Sequence, residues 1–168
     1  MLNNNNIVWK TRAKELLIDY LFILGYLVIL FGINMLIYFV ILGGIPSFNQ
    51  LQSQLIALFF SVIPIIVIFS FLDYNKGTFG KRKAGLKVYY KNKKFIESLL
   101  RNIIKFLPWQ LGHIGVIEGI YTNYESWTAI FFSYLSLILM IILLGMGFCR
   151  KDKRHLGDLL ANTQVQVK

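Results

Sequence analysis

The chain has 168 residues, of which 56% are hydrophobic, and carries a formal net charge of +10. This apolar content is too high for an ordinary soluble domain of the same length, so the composition predicts an integral membrane protein. The 18 Lys and Arg residues fall before residue 16, between residues 76 and 105, and after residue 148. Such clustering indicates cytoplasmic segments beside anionic lipid and argues against nucleic-acid binding.

The first apolar stretch, about residues 16 to 41, is long enough to cross a membrane and begins inside a charged helix. On that helix Arg12, Glu15 and Asp19 share one face because they stand at i, i+3 and i+7. An ionised aspartate facing lipid costs roughly 3 kcal/mol or more, so this face should point at a bundle interior, a partner charge or water. Three roles for Asp19 stay open: a helix-end carboxylate tied to Arg12 or Lys14, an ion or proton site, and an interhelical hydrogen bond.

The second apolar stretch, about residues 55 to 72, has the minimum length for a crossing and contains Pro64. Proline lacks an amide hydrogen, so the carbonyl of Phe60, four residues earlier, loses its helical partner and the helix is expected to bend. Asp73 follows directly. We expect it to lie at the cytoplasmic edge, capped by solvent or by a neighbouring lysine.

Residues 75 to 95 form a basic loop with three glycines, in which Leu86 to Tyr90 reads as a short strand. Gly80 followed by Lys81 resembles the end of a phosphate-binding P-loop, but the first glycine is misplaced and no Ser or Thr follows the lysine. Two interpretations remain, a plain solvated loop and a lipid-headgroup site. The residues of that headgroup site would be Lys81, Arg82, Lys83 and Lys87.

The third apolar stretch, about residues 103 to 121, has Arg101 and Lys105 at its start, and the fourth covers about residues 127 to 148. Lys and Arg enrichment places both termini in the cytoplasm, which requires an even number of spans and therefore favours four. Three spans plus an amphipathic helix is the alternative. His113 would lie within the third span, where it either relays protons or forms a simple hydrogen bond between helices.

The last residues, 164 to 168, alternate in the manner of a strand, which we expect to pair with Leu86 to Tyr90. That pairing would bring Asp158 next to Arg101 as a structural charge pair. Metal binding by His155 and Asp158 is not expected, because the sequence shows no further ligands to complete a site.

The sequence offers no catalytic constellation, so we expect neither an enzyme nor a cofactor. The predicted fold is a single domain over residues 1–168, an all-α integral membrane fold with about four transmembrane helices and a small cytoplasmic β element.

The chain resembles the RDD family of small bacterial membrane proteins over nearly its whole length. The resemblance rests first on Arg12, which opens the first helix, on Asp19 within that helix, and on Arg101. It also rests on two motifs, Gly-Thr-x-Gly-Lys-Arg-x-x-Gly-Leu-x-Val at residues 77–88 and His-Leu-x-Asp-Leu-Leu-Ala-x-Thr-x-Val at residues 155–165. We match the second aspartate of the family to Asp158 rather than Asp73. Asn92 stands where the resemblance implies an Asp-Gly turn. Transport has been proposed for this family, and some members resemble cation/proton antiporters.

Two functions from different classes follow. The first is transport of a small ion or solute across the cell membrane by a homo-oligomer, most specifically cation/proton exchange at a site of Asp19, Arg12, Glu15 and His113. The second is a non-catalytic accessory protein that binds a partner membrane protein or anionic lipid. Fold resemblance alone does not choose between them.

Overall fold

The computed structural model describes residues 7–168 of the chain. Its regular elements, in chain order, are helix α1 (Trp9–Leu36), helix α2 (Gln50–Ile56), helix α3 (Ile63–Asn75), helix α4 (Phe79–Lys83), strand β1 (Leu86–Tyr90), helix α5 (Phe95–Tyr121), helix α6 (Trp127–Cys149), helix α7 (Leu156–Leu160) and strand β2 (Thr163–Val167). Two π-helical segments, Ile37–Ile41 and Ala57–Val62, extend α1 and join α2 to α3.

Three helical stretches within residues 7–168 are long and apolar enough to cross a membrane, namely Trp9–Ile41, Gln50–Lys83 and Trp127–Cys149. The mostly helical membrane fold predicted from composition is therefore confirmed. Helix α5 has 27 residues, which at 1.5 Å per residue gives a length of roughly 40 Å, and it packs against α3 and α6. It is not one of these three apolar stretches, and its charged residues are spread from its first turn to its last, at Glu97, Arg101, Lys105 and Glu118.

Pro64 lies in the first turn of α3, directly after the π-helical segment Ala57–Val62. The carbonyl of Phe60, which the proline deprives of a helical partner, accepts a hydrogen bond from the Tyr26 hydroxyl at 2.6 Å. A buried or lipid-facing carbonyl without a partner is costly, so this bond offsets the effect of the proline. It also joins α1 to the second helical stretch.

The helices pack around an apolar cluster in which Ile65 and Phe69 of α3 contact Phe106 of α5. The rings of Phe69 and Phe106 meet edge to face with centroids 5.1 Å apart, a favourable arrangement for aromatic pairs. Phe22 of α1 packs against the same cluster. These contacts hold α1, α3 and α5 together just beyond the charged groups described below.

Strands β1 and β2 form a two-stranded antiparallel sheet in which Leu86 pairs with Val167 and Tyr90 with Thr163. The predicted small β element is therefore confirmed, with β2 starting one residue before the predicted segment. Leu86 and Val165 are fully buried on the inner face of the sheet and pack with Ile7. The sheet thereby fixes the C-terminal segment beside residues that are about 80 positions earlier in the chain.

Candidate functional site

Eight charged side chains from α1, α3, α4, α5 and α7 lie together and form what we call the charge cluster. All except Lys105 are buried, and Lys105 retains 19% of its side-chain exposure. Four are cations and four are carboxylates, so their formal charges cancel. The members are Arg12, Glu15, Asp19, Asp73, Lys81, Arg101, Lys105 and Asp158.

Helix α1 contributes its predicted charged face, since Arg12, Glu15 and Asp19 are its buried residues. Arg12 pairs with Glu15 at 2.6 Å and donates a second hydrogen bond to the carbonyl of Lys153 at 3.0 Å. Within residues 7–168, Asp19 forms no ion pair with Arg12 or Lys14, so the alternative that ties it to one of these two cations is wrong. Arg12 instead joins α1 to the segment that follows α6.

Asp19 binds the first turn of α4 from the side of α1. Its carboxylate accepts hydrogen bonds from the Thr78 hydroxyl and the Gly80 amide, each at 2.8 Å. Amide hydrogens at the start of a helix lack helical partners, so a carboxylate there is stabilising. The ammonium groups of Lys81 and Lys105 both lie 4.0 Å from Asp19 Oδ2. Asp19 thus combines an interhelical hydrogen-bonding role with two cationic neighbours.

Lys81 is fully buried, which corrects its assignment to an exposed headgroup loop. Its ammonium lies 3.0 Å from Asp73 Oδ1 and 3.2 Å from Glu15 Oε1, so it bridges α3 and α1. A buried lysine needs such partners because isolated burial of a charge is prohibitively costly. Gly80 makes this approach possible, because a Cβ at that position would lie 2.1 Å from the carbonyl oxygen of Glu15.

Arg101 of α5 lies between two carboxylates. Its Nε is 2.6 Å from Asp158 Oδ1, the pairing expected from the sequence, and its Nη1 contacts Asp73 Oδ2. Asp73 is 2% exposed rather than capped by solvent, because α5 and Lys81 cover it. Sequence reasoning misses Asp73 and Lys105 as members of the site. The available signal is that Asp73 directly follows an apolar run and precedes a strongly basic loop.

The C-terminal side of the charge cluster is formed by His155 and Asp158, which share a capping box at the start of α7. Asp158 also accepts a hydrogen bond from the Thr163 hydroxyl at 2.8 Å. Burial would raise the pKa of the Asp158 carboxyl, but the adjacent Arg101 guanidinium and His155 hold that pKa well below its usual range. Burial lowers the pKa of His155 to about 4, so its imidazole is neutral at physiological pH.

The RDD family model matches residues 9–162. The chain belongs to the RDD family. This match covers every member of the charge cluster, including both aspartates that contact Arg101. Neither the curated proteins nor the solved structures compared with this RDD protein contain a match to it.

His113 of this RDD protein does not join the charge cluster. Its Nε2 lies 3.4 Å from the Ser61 hydroxyl, and its ring stacks on Trp109 with centroids 5.8 Å apart. It follows Lys105 by eight residues, which places it ~12 Å further along α5. The structure therefore separates His113 from Asp19, Arg12 and Glu15, with which sequence reasoning groups it.

The remaining residues of the predicted headgroup loop are outside the charge cluster of the RDD protein. Arg82 and Lys83 are exposed, and Lys87 is half-buried. The Arg82 guanidinium lies over the Phe79 ring at 4.5 Å, and the Lys87 ammonium lies over the Tyr89 ring at 4.4 Å. Within residues 7–168, no group of three or more His, Cys, Asp or Glu side chains is arranged to hold a metal ion.

Proposed function

We propose that this RDD protein exchanges protons for a small monovalent cation across the membrane, without enzymatic activity, and that Asp19 and Lys105 form the exchange site. One observation carries the proposal. The nearest carboxylate oxygen to the Lys105 ammonium is 4.0 Å away, whereas the other three cations of the charge cluster have a partner within 3.0 Å. Lys105 is also the one member with appreciable exposure.

The weak pairing of Lys105 matters because Coulomb attraction falls with distance, so its proton can leave with the smallest loss of attraction. The ammonium rests on the rings of Phe69 and Phe106, at 4.8 and 5.2 Å from their centroids. After the proton leaves, a bound cation beside Asp19 would restore the charge balance of the cluster. One proton and one monovalent cation would then exchange without changing the net charge of the protein.

The other charged residues have supporting roles in this proposal. Arg12 and Glu15 fix the start of α1, and Lys81 and Arg101 compensate the remaining carboxylates, so the site does not need them to release protons. His113 has no part in the exchange because it lies ~12 Å further along α5. Since the helices of one chain enclose little volume, we include a homo-oligomer in the proposal.

A second candidate is a non-catalytic accessory protein that binds a partner membrane protein or anionic lipid. It is favoured by the fact that every carboxylate of the charge cluster has a cation within 4.0 Å. Such a balanced cluster can serve solely to hold the helices together. The two candidates make opposite predictions for the substitution Asp19→Asn. The exchange proposal predicts a folded protein that has lost exchange, whereas a purely structural cluster predicts loss of folded protein.

Asp19→Asn is expected to fold normally but to reduce proton/cation exchange by about tenfold or more. The amide can still accept one of the two hydrogen bonds from α4, but it lacks the charge that holds a cation. Exchange is measured with the purified protein in proteoliposomes containing a pH-sensitive dye, under Na⁺, K⁺ or Li⁺ gradients. Lys105→Gln should give a comparable loss, and Asp152→Asn, the same chemical change outside the cluster, should retain exchange.

The same assay separates the candidates. A wild-type protein that moves no protons under any of the three gradients would rule out exchange and leave the accessory role. A folded Asp19→Asn protein with unchanged exchange would remove Asp19 from the site. Loss of folded protein in both Asp19→Asn and Arg12→Gln would assign the cluster a structural role. Undiminished exchange in vesicles that hold single copies would exclude the need for an oligomer.

We also propose that the protein lies in the cell membrane with four spans and both termini in the cytoplasm, which the Lys and Arg distribution supports. In a Cys149→Ser background, cysteines introduced at Ser47 and Ser126 should react with an impermeant thiol reagent added to intact cells. A cysteine at Asn92 should react only after the cells are opened. Labelling at Asn92 in intact cells would reverse the orientation, and protection at Ser126 would favour three spans.

A further inference from the structure

A cleft of about 470 Å³ lies between the C-terminal end of α3, α4, strand β1 and the residues that follow each strand. This volume is in the range of pockets that bind small molecules. The described residues that line the cleft include five basic ones, which come from separate segments of the chain. They are Lys76, Arg82, Lys87, Lys93 and Lys168.

These five cations differ from those of the charge cluster in their surroundings. In the part of the chain that the structure describes, none of them lies within 4.0 Å of a carboxylate. Among the described residues that line the cleft, Asp73 is the one acidic residue, and both of its oxygens already contact cations, Lys81 and Arg101. The cleft therefore presents a strong excess of positive charge.

The convergence of these side chains is a product of the fold rather than of a basic run in the sequence. The pairing of Leu86 with Val167 brings Lys168 to the segment that carries Arg82 and Lys87. Two of the cations are also held in place by aromatic rings, Arg82 over Phe79 and Lys87 over Tyr89. Positioned cations lose less side-chain freedom when an anion binds, which favours binding.

A phosphate group suits this lining better than a single carboxylate. Several cations around one cavity match a compact group with more than one negative charge, and a guanidinium such as that of Arg82 forms paired hydrogen bonds with phosphate oxygens. The lining also includes Tyr74 and Asn75, which can donate further hydrogen bonds. Lys81, which sequence reasoning assigns to headgroup binding, is excluded because it is buried.

We propose that this cleft is a binding site for the phosphate group of a small anion, supplied either by a lipid headgroup or by a soluble phosphate compound. The proposal goes beyond the exchange reaction and does not depend on it. Of the residues predicted for headgroup binding, it retains Arg82 and Lys87 and omits Lys81 and Lys83. Lys76, Lys93 and Lys168 complete the site.

The test is calorimetric titration of the purified full-length protein in a neutral detergent. The probes are dioctanoyl phosphatidylglycerol, dioctanoyl phosphatidylcholine, inorganic phosphate and ATP. The double variant R82Q/K87Q is expected to weaken binding of the anionic probe by about tenfold or more, because it removes two positioned cations. The matched control K83Q/K91Q removes the same charge from two exposed lysines outside the cleft and should weaken binding by less than about twofold.

Each outcome has a definite meaning. Binding of phosphatidylglycerol alone identifies a lipid headgroup, and binding of ATP or inorganic phosphate with the same dependence on Arg82 and Lys87 identifies a soluble compound. Absence of binding by all anionic probes would overturn the proposal, as would equal weakening in the two double variants. If R82Q/K87Q does not fold, K76Q/K93Q replaces it, since both lysines are exposed cleft residues.

Discussion

Arg101→Gln is expected to produce the largest loss of folded protein among single substitutions in the charge cluster. Arg101 contacts both Asp73 and Asp158, so removing its charge leaves one carboxylate compensated only by Lys81 and the other without its main cation. Breaking a buried ion pair from one side typically costs about 3–5 kcal/mol. The measurement is the yield of monodisperse protein after detergent extraction, together with its thermal unfolding.

Arg150→Gln is the matched control for this change. Arg150 is also paired with an aspartate, Asp152 at 2.9 Å, but that pair is on the surface. Exposed pairs contribute little to stability, so the control should fold like the wild type. A normal yield for Arg101→Gln would show that the two aspartates find other compensation, and the central place of Arg101 in the cluster would have to be abandoned.

The double charge reversal R101D/D158R should restore only part of the folded protein lost in either single reversal. It recreates the attraction between positions 101 and 158, but the new carboxylate at position 101 also faces Asp73. Like charges in a buried site repel strongly. Full restoration of the yield would mean that Asp73 and Arg101 do not interact in the membrane.

Gly80→Ala is expected to be the most damaging of the small-to-small substitutions. The added Cβ would lie 2.1 Å from the carbonyl oxygen of Glu15 and 2.7 Å from Asp19 Oδ1. Because the closest atom belongs to the backbone of α1, the clash can be relieved only by moving α4 away from α1. That movement breaks the hydrogen bond from the Gly80 amide to Asp19 and pulls Lys81 from its partners.

Overpacking usually costs roughly 1–3 kcal/mol, and here the loss of buried polar contacts adds to that cost. Thermal unfolding of the purified variant measures the effect. Gly32→Ala is the control, because nothing lies within 4 Å of a Cβ at that position of α1 and alanine favours the helix. Equal stability of the Gly80 and Gly32 variants would show that α4 does not pack closely on α1.

Features with a regular spacing could be predicted from the sequence. The buried face of Arg12, Glu15 and Asp19 follows from helical periodicity, and the pairing of β1 with β2 follows from alternation. The carbonyl of Phe60 could be predicted to lack its helical hydrogen bond, because Pro64 has no amide hydrogen to donate to the residue four positions earlier. These predictions hold since each depends on local backbone geometry.

The residues of the charge cluster could be predicted only in part, because their burial depends on how helices that are distant in the sequence pack against each other. Lys81 and Arg82 are adjacent and chemically similar, yet one is fully buried and the other is exposed. Only the position of α4 against α1 distinguishes them, and no sequence period encodes it. Asp73 was equally ambiguous by position, since its burial comes from α5, which follows about 20 residues later.

Asp158 is the last member of the charge cluster in chain order, and this has a consequence for biosynthesis. Until this residue has been made, the elements already formed contain four cations of the charge cluster and three of its carboxylates. Arg101 then lacks one of its two partners, and β1 has no strand to pair with. Synthesis of residues 158–167 therefore supplies both the missing carboxylate and the missing strand. A chain truncated before Asp158 would retain an unbalanced cation and an open strand edge, so we expect it to give less folded protein than the 168-residue chain.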